Sequence, residues 1–136
     1  MIQMPKALVP YAKHLKEEGY NVTATEESII TEKDGNQVIF VASEVPAFLV
    51  AMVKYELNDS KYLANKLEAL EMVNSMNTYD IPSCYIGDNS EHPYLAITWT
   101  CFGEYNKDLF HTFLLKIDVD EITIIKEMGE RIKKFM

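Results

Sequence analysis

Histidine and cysteine are the side chains best able to hold a metal ion, or to act as base or nucleophile, near neutral pH. This chain has five of them: His14, Cys84, His92, Cys101 and His111. No C-x-x-C or H-E-x-x-H occurs, and the 84/92/101/111 spacing fits no zinc pattern, so neither metal nor cofactor is expected. Gly19, Gly35, Gly87, Gly103 and Gly129 are scattered. They form neither G-x-G-x-x-G nor a Walker loop to cradle a phosphate. The serines fall in turns, caps and strand ends without a nucleophile elbow. Paired carboxylates occur at Glu17/Glu18, Glu26/Glu27 and Asp118/Asp120/Glu121. Each has an ordinary place on a helix surface, in a turn or at a cap, whereas acid–base work needs surroundings that drive two pKa values apart. The residues therefore read as those of a protein that is not an enzyme.

The elements that would position these side chains are legible from apolar spacing and turn residues. Pro5 to Glu18 reads as a helix stopped by Gly19, with His14 solvated on it. Tyr20 to Ala24 reads as a weaker strand ahead of the next hairpin. Ser28–Lys33 and Gln37–Ala42 flank Asp34-Gly35, the signature of a tight hairpin. Pro46 precedes a long β segment, Ala47 to Leu57. Asn58, Asp59 and Ser60 offer caps for a helix over 61–77, with Leu63, Leu67, Leu70 and Val73 as its buried stripe. Ser83–Gly87 and Tyr94–Phe102 form a second hairpin around the polar loop Asp88 to Glu91. If Gly87 pairs with Tyr94, Cys84 faces Ile97 and lies roughly 13 Å from Cys101, too far for a disulfide or a shared ion. Leu109–Ile117 can add a further strand, in which His111 would lie across from Trp99. The last helix covers about Val119 to Lys134, with Asp118 and Glu121 at capping-box spacing and Ile122, Ile125, Met128, Ile132 and Phe135 facing inward. The result is an α+β fold in the order α-β-β-β-α-β-β(-β)-α, with an antiparallel sheet and one domain over 1–136.

Charge and composition narrow the partners. Of 136 residues, 48% are hydrophobic and 25% charged, the balance of a globular domain able to build its own core. A net charge of −8 argues against nucleic acid and anionic membrane surfaces, which need clustered positive charge. No apolar run approaches the ~20 residues of a membrane span, no signal peptide is read, and two cysteines make no disulfide framework. A cytoplasmic setting is expected. Two strands carry apolar residues on both faces: Phe48, Val50 and Met52 stand opposite Leu49, Ala51 and Val53, and Phe110 and Leu114 stand opposite Phe113 and Leu115. Helices on both sides of the sheet would account for this. So would a second copy of the chain or an apolar partner segment on one side.

The stretch Lys66-Leu67-Glu68-Ala69-Leu70-Glu71-Met72-Val73-Asn74-Ser75-Met76-Asn77, followed by the strand Cys84-Tyr85-Ile86-Gly87-Asp88, a longer strand and a terminal amphipathic helix, resembles the YbjN-like family. That family shares the fold of type III secretion chaperones. The resemblance implies a small cytoplasmic α+β protein, often a homodimer, that binds protein. Three readings follow. The first is a non-enzymatic protein-binding domain, chaperone-like or regulatory. It would act as a homodimer, or on another protein or extended peptide segment, through Phe48, Val50, Met52, Phe110 and Leu114. The second is a small-ligand sensor with a pocket near Tyr85, Trp99 and His111. The third is an enzyme built on His111 or a carboxylate pair, and it has the least support.

Overall fold

Gly19 ends the first helix by a conformation that side chains with a Cβ rarely adopt, φ = 91°. The computed structural model describes residues 3–78, 82–87 and 92–136. A 3₁₀ turn, Lys6–Leu8, leads into α1 (Val9–Glu17), with Pro10 accommodated in its first turn. At the other end, the Gly19 N–H donates to Lys16 and the Tyr20 N–H to Leu15, the paired bonds of a Schellman stop.

The strands are β1 (Asn21–Ala24), β2 (Ile29–Lys33), β3 (Asn36–Glu44), β4 (Ala47–Glu56), β5 (Ser83–Gly87) and β6 (Tyr94–Phe102). They share one antiparallel sheet in the order β1-β2-β3-β4-β6-β5. The β2–β3 turn has positive φ at both Asp34 (53°) and Gly35 (81°), as a two-residue turn matched to strand twist requires. The expected register of the second hairpin holds: Gly87 pairs with Tyr94 and Cys84 with Ile97. Its Asp88–Glu91 loop lies outside the described residues. The expected order of elements is present, and β1 is the short strand read over Tyr20 to Ala24, which makes four strands before the central helix.

That central helix is two pieces, α2 (Asp59–Ala64) and α3 (Lys66–Met76). The Asn58 side chain caps α2 by accepting from the Lys61 N–H, and the chain departs from helical geometry at Asn65 (φ −135°, ψ 40°). Of the expected stripe only Val73 faces inward. Leu63, Leu67 and Leu70 point outward, while Tyr62, Ala69, Met72, Val73 and Met76 are buried.

A larger correction concerns Leu109–Ile117, which is helix. It forms the opening turns of α4 (Lys107–Lys133). Asn106 Oδ1 accepts from the backbone N–H groups of Asp108 and Leu109, both at 3.1 Å, so the helix starts there and Asp118 with Glu121 is no capping box. Phe110, Phe113, Leu114, Ile117, Ile124, Met128 and Ile132 are buried at helical spacing. Ile122 and Ile125, expected to face inward, face out; the buried position between them is Ile124.

By internal contacts the chain falls into two units. One comprises Met1–Val53 with Thr100–Leu115, and the other Lys54–Trp99 with Lys116–Met136. The core of the first gathers Leu8, Tyr11 and Leu15 with Ile29, Phe40 and Leu49, and Phe110. The core of the second gathers Met72 and Met76 with Leu95, Ile97 and Trp99, and Ile124 and Phe135.

In the second unit Asn77 does what a neighbouring strand would otherwise do for the start of β5. Its Nδ2 donates to the Cys84 carbonyl (2.9 Å) and its Oδ1 accepts from the Cys84 N–H (2.7 Å). Asn77→Ala removes both bonds and is expected to cost about 1–2 kcal/mol in urea unfolding, each net bond contributing about 0.5–1.5. Asn74→Ala, at an exposed position of the same helix, should change stability by less than about 0.5 kcal/mol.

Candidate functional site

In the first unit, the polar side chains that converge are His14, Glu18 and His111. His14 lies one turn before Glu18 on α1, so the i, i+4 spacing places the two on one face. Glu18 is the helix C-cap, and the Gly19 turn beyond it holds its backbone in place. His111 comes from the first turns of α4. Glu18 Oε1 lies 3.3 Å from His14 Nε2 and 2.9 Å from His111 Nδ1. One ligating atom from each of the three falls within 4.8 Å of the others.

His14 is the fixed member. It is only 5% exposed, contrary to the solvated position expected on this helix. Its ring packs edge-on against Phe110, with centroids 4.9 Å apart, and its Nδ1 meets the Tyr105 hydroxyl at 2.9 Å. Tyr11 also packs edge-on against both Tyr105 and Phe110. Burial, with the negative charges of Glu17, Glu18 and Asp108, pushes the Tyr105 pKa upward, so its hydroxyl keeps its proton. Burial also tends to raise the Glu18 pKa. The hydrogen bond from His111 and the charge and hydrogen bond of His14 outweigh it and bring the carboxyl below its usual range. Glu17, Lys107 and Asp108 line the opening beside the cluster, a recess of 360 Å³.

The other expected site residues sit elsewhere. Phe110 and Leu114 are buried in the first unit, because on a helix rather than a strand they fall on its inner face; they are core and offer no free surface. Phe48, Val50 and Met52 are half-buried on β4. Trp99, in the second unit, is 1% exposed, and its Nε1 donates to Asp120 Oδ2 at 3.0 Å. His111 is therefore not its cross-strand neighbour, as a strand over Leu109–Ile117 would have made it. Tyr85 is exposed on β5, with its ring 6.3 Å from that of Tyr94. Cys84 and Cys101 are both free thiols, and burial pushes the Cys84 pKa up to about 11, which leaves it inert at neutral pH.

Sequence reading missed the cluster because two of its members, His14 and His111, lie far apart in the chain. The available signal was local: a histidine and a glutamate four apart at the end of a helix, ahead of a glycine stop.

A buried acid lies in the other unit. Tyr55 donates to Glu121 Oε1 at 3.4 Å. Burial raises the Glu121 pKa, the charge of Asp118 raises it further, and the Tyr55 bond only partly offsets them. Burial first, then Glu121, pushes the Tyr55 pKa up to about 12.

No family model and no curated protein matches this chain. Among solved structures it is similar to YbjN from E. coli, described as a candidate transcription regulator. The TM-score is 0.69 at 12% identity, and the match covers 96% of each chain. The fold is YbjN-like.

Two outcomes follow from these surroundings. Phe110→Ala should cost about 3–5 kcal/mol in denaturant unfolding, since it empties the centre of an aromatic cluster. Glu121 behaves oppositely to a salt-bridged acid. Its folded pKa is raised, so its contribution to stability is present below the unfolded value of 4.5 and is lost as pH rises through the folded value. Glu121→Gln should therefore gain melting temperature relative to the native chain as pH rises from about 4.5 to 8. A difference that is flat or shrinks with pH would contradict the assignment.

Proposed function

We propose that the protein is a non-enzymatic binding domain of regulatory type. In this reading it pairs with a second copy through the outward apolar stripe of α4 and receives a protein segment on the outward leucines of α2 and α3. The observation that carries this reading is in the second unit. Val119, Ile122 and Ile125 recur every three residues on the outer side of α4, and Ile122 is 67% exposed. Leu63 on α2 and Leu67 and Leu70 on α3 also face outward, and Leu67 is 72% exposed. Single exposed leucines are ordinary, but two helical stripes of β-branched and leucine side chains mark surfaces that another chain covers.

The Lys134 ammonium meets Glu68 Oε1 at 2.6 Å, and the Asn58 N–H donates to the Phe135 carbonyl at 2.7 Å, so the end of α4 is tied to α2 and α3. The description of the E. coli protein with this fold supports a regulatory role over a catalytic one. The net charge of −8 suits a protein or peptide partner better than nucleic acid, so regulation would act through protein contacts. Among the described residues no helix is long and apolar enough to cross a membrane, so the stripes are not accounted for by a lipid span. The α4 stripe replaces the sheet-and-helix surface expected from sequence, whose members Phe110 and Leu114 are already buried.

Light scattering on a size-exclusion column tests the pairing. The native chain should run with the mass of a dimer at micromolar concentration, and Ile122→Glu should run as a monomer with unchanged circular dichroism. Leu67→Glu should leave the dimer intact. A native chain that is monomeric at every concentration would sink the proposed pairing, and so would a dimer indifferent to Ile122→Glu.

A further inference from the structure

The geometry points to a divalent transition-metal site at His14, Glu18 and His111, of the Zn²⁺ class, with two imidazoles and one carboxylate as protein ligands. A tetrahedral ion bound about 2.0–2.2 Å from each ligand sets those atoms roughly 3.4 Å apart. Glu18 Oε1 already stands 3.3 Å from His14 Nε2 and 2.9 Å from His111 Nδ1, and one ligating atom from each of the three residues falls within 4.8 Å of the others. Side-chain adjustments of about an ångström around the exposed His111 would bring them onto one ion.

Three further features favour an ion over a plain pairing of charges. First, His14 is buried, and its other ring nitrogen, Nδ1, meets the Tyr105 hydroxyl at 2.9 Å. An outer partner on the second nitrogen is the usual companion of a metal-bound histidine, since it fixes tautomer and ring orientation. With an ion on Nε2, the proton of His14 sits on Nδ1 and donates to Tyr105. Second, Glu17, Lys107 and Asp108 line the recess beside the cluster. With both imidazoles neutral, three carboxylates against one ammonium leave two negative charges, the number a divalent ion balances. Third, the recess is open, which leaves the fourth position to water or to a carboxylate at its rim. Two nitrogens and an oxygen suit Zn²⁺, Co²⁺ or Ni²⁺ better than Mg²⁺ or Ca²⁺, which prefer oxygen alone.

The test uses the metals alone on the full chain. Equilibrium dialysis against ZnCl₂ should load one ion per chain, and CoCl₂ should give visible d–d absorption of a four- or five-coordinate site. His111 is 56% exposed, so His111→Ala should keep the fold by circular dichroism and lose the Co²⁺ spectrum. Tyr105→Phe keeps all three ligands and should weaken Zn²⁺ about 10- to 100-fold. His92→Ala should change neither readout. Failure of the native chain to bind Zn²⁺, or binding unaltered by His111→Ala, would overturn the site; in the latter case loss with His92→Ala would move the ion to the His92–Asp59 pair.

Discussion

Phe110 brings four rings to one place. Tyr11 and His14 from α1 lie with centroids 4.9 Å from it, Phe40 from β3 at 6.0 Å and Tyr105 at 6.2 Å, all steeply inclined to its plane. Edge-to-face contacts of this kind add about 0.5–1.5 kcal/mol each to the area they bury. They also fix orientation, which matters more here. An imidazole held against an aromatic face by one side and a tyrosine hydroxyl by one nitrogen has a single direction left for the other nitrogen, and that direction is toward Glu18. The polar cluster of the first unit is thus a consequence of its apolar packing.

The same residue shows why strand and helix were hard to separate in the sequence. Over Leu109–Ile117, alternate positions are apolar enough to read as a strand with two greasy faces. The set Phe110, Phe113, Leu114 and Ile117 reads equally well as the inner face of a helix. Asn106 decides between them, because its side chain satisfies two backbone donors that only a helix start leaves free. Turns with a specific backbone demand were legible: Asp34-Gly35, Gly19 and the Gly87–Tyr94 register all follow from local chemistry. The inner sides of α3 and α4 were not. In each, apolar residues occur on more than one face, and periodicity alone cannot say which stripe meets the protein's own core. Leu63, Leu67, Ile122 and Ile125 look like core residues because their chemistry is that of core residues.

Fold and function separate along the same line. A likeness covering nearly the whole chain at 12% identity fixes architecture and leaves side chains free to differ, and site chemistry is made of side chains. The convergence of His14, Glu18 and His111 depends on a helix stop, a helix start and one aromatic ring. None of these is a spacing motif, so no scan along the chain would have joined them.

The strand order also constrains how the chain is made. β1 to β4 are successive hairpins, each pairing with the strand just synthesised, and such local contacts form early and fast. β6 then enters between β4 and β5, so the second edge of β4 has no partner until Tyr94–Phe102 has left the ribosome. During that interval Ala47–Glu56 presents unpaired backbone groups along a run of mostly apolar residues, with charge only at Lys54 and Glu56. In this order of assembly the β4 edge is the part of the sheet longest exposed to pairing with another chain, and the arrival of β6 is what closes it.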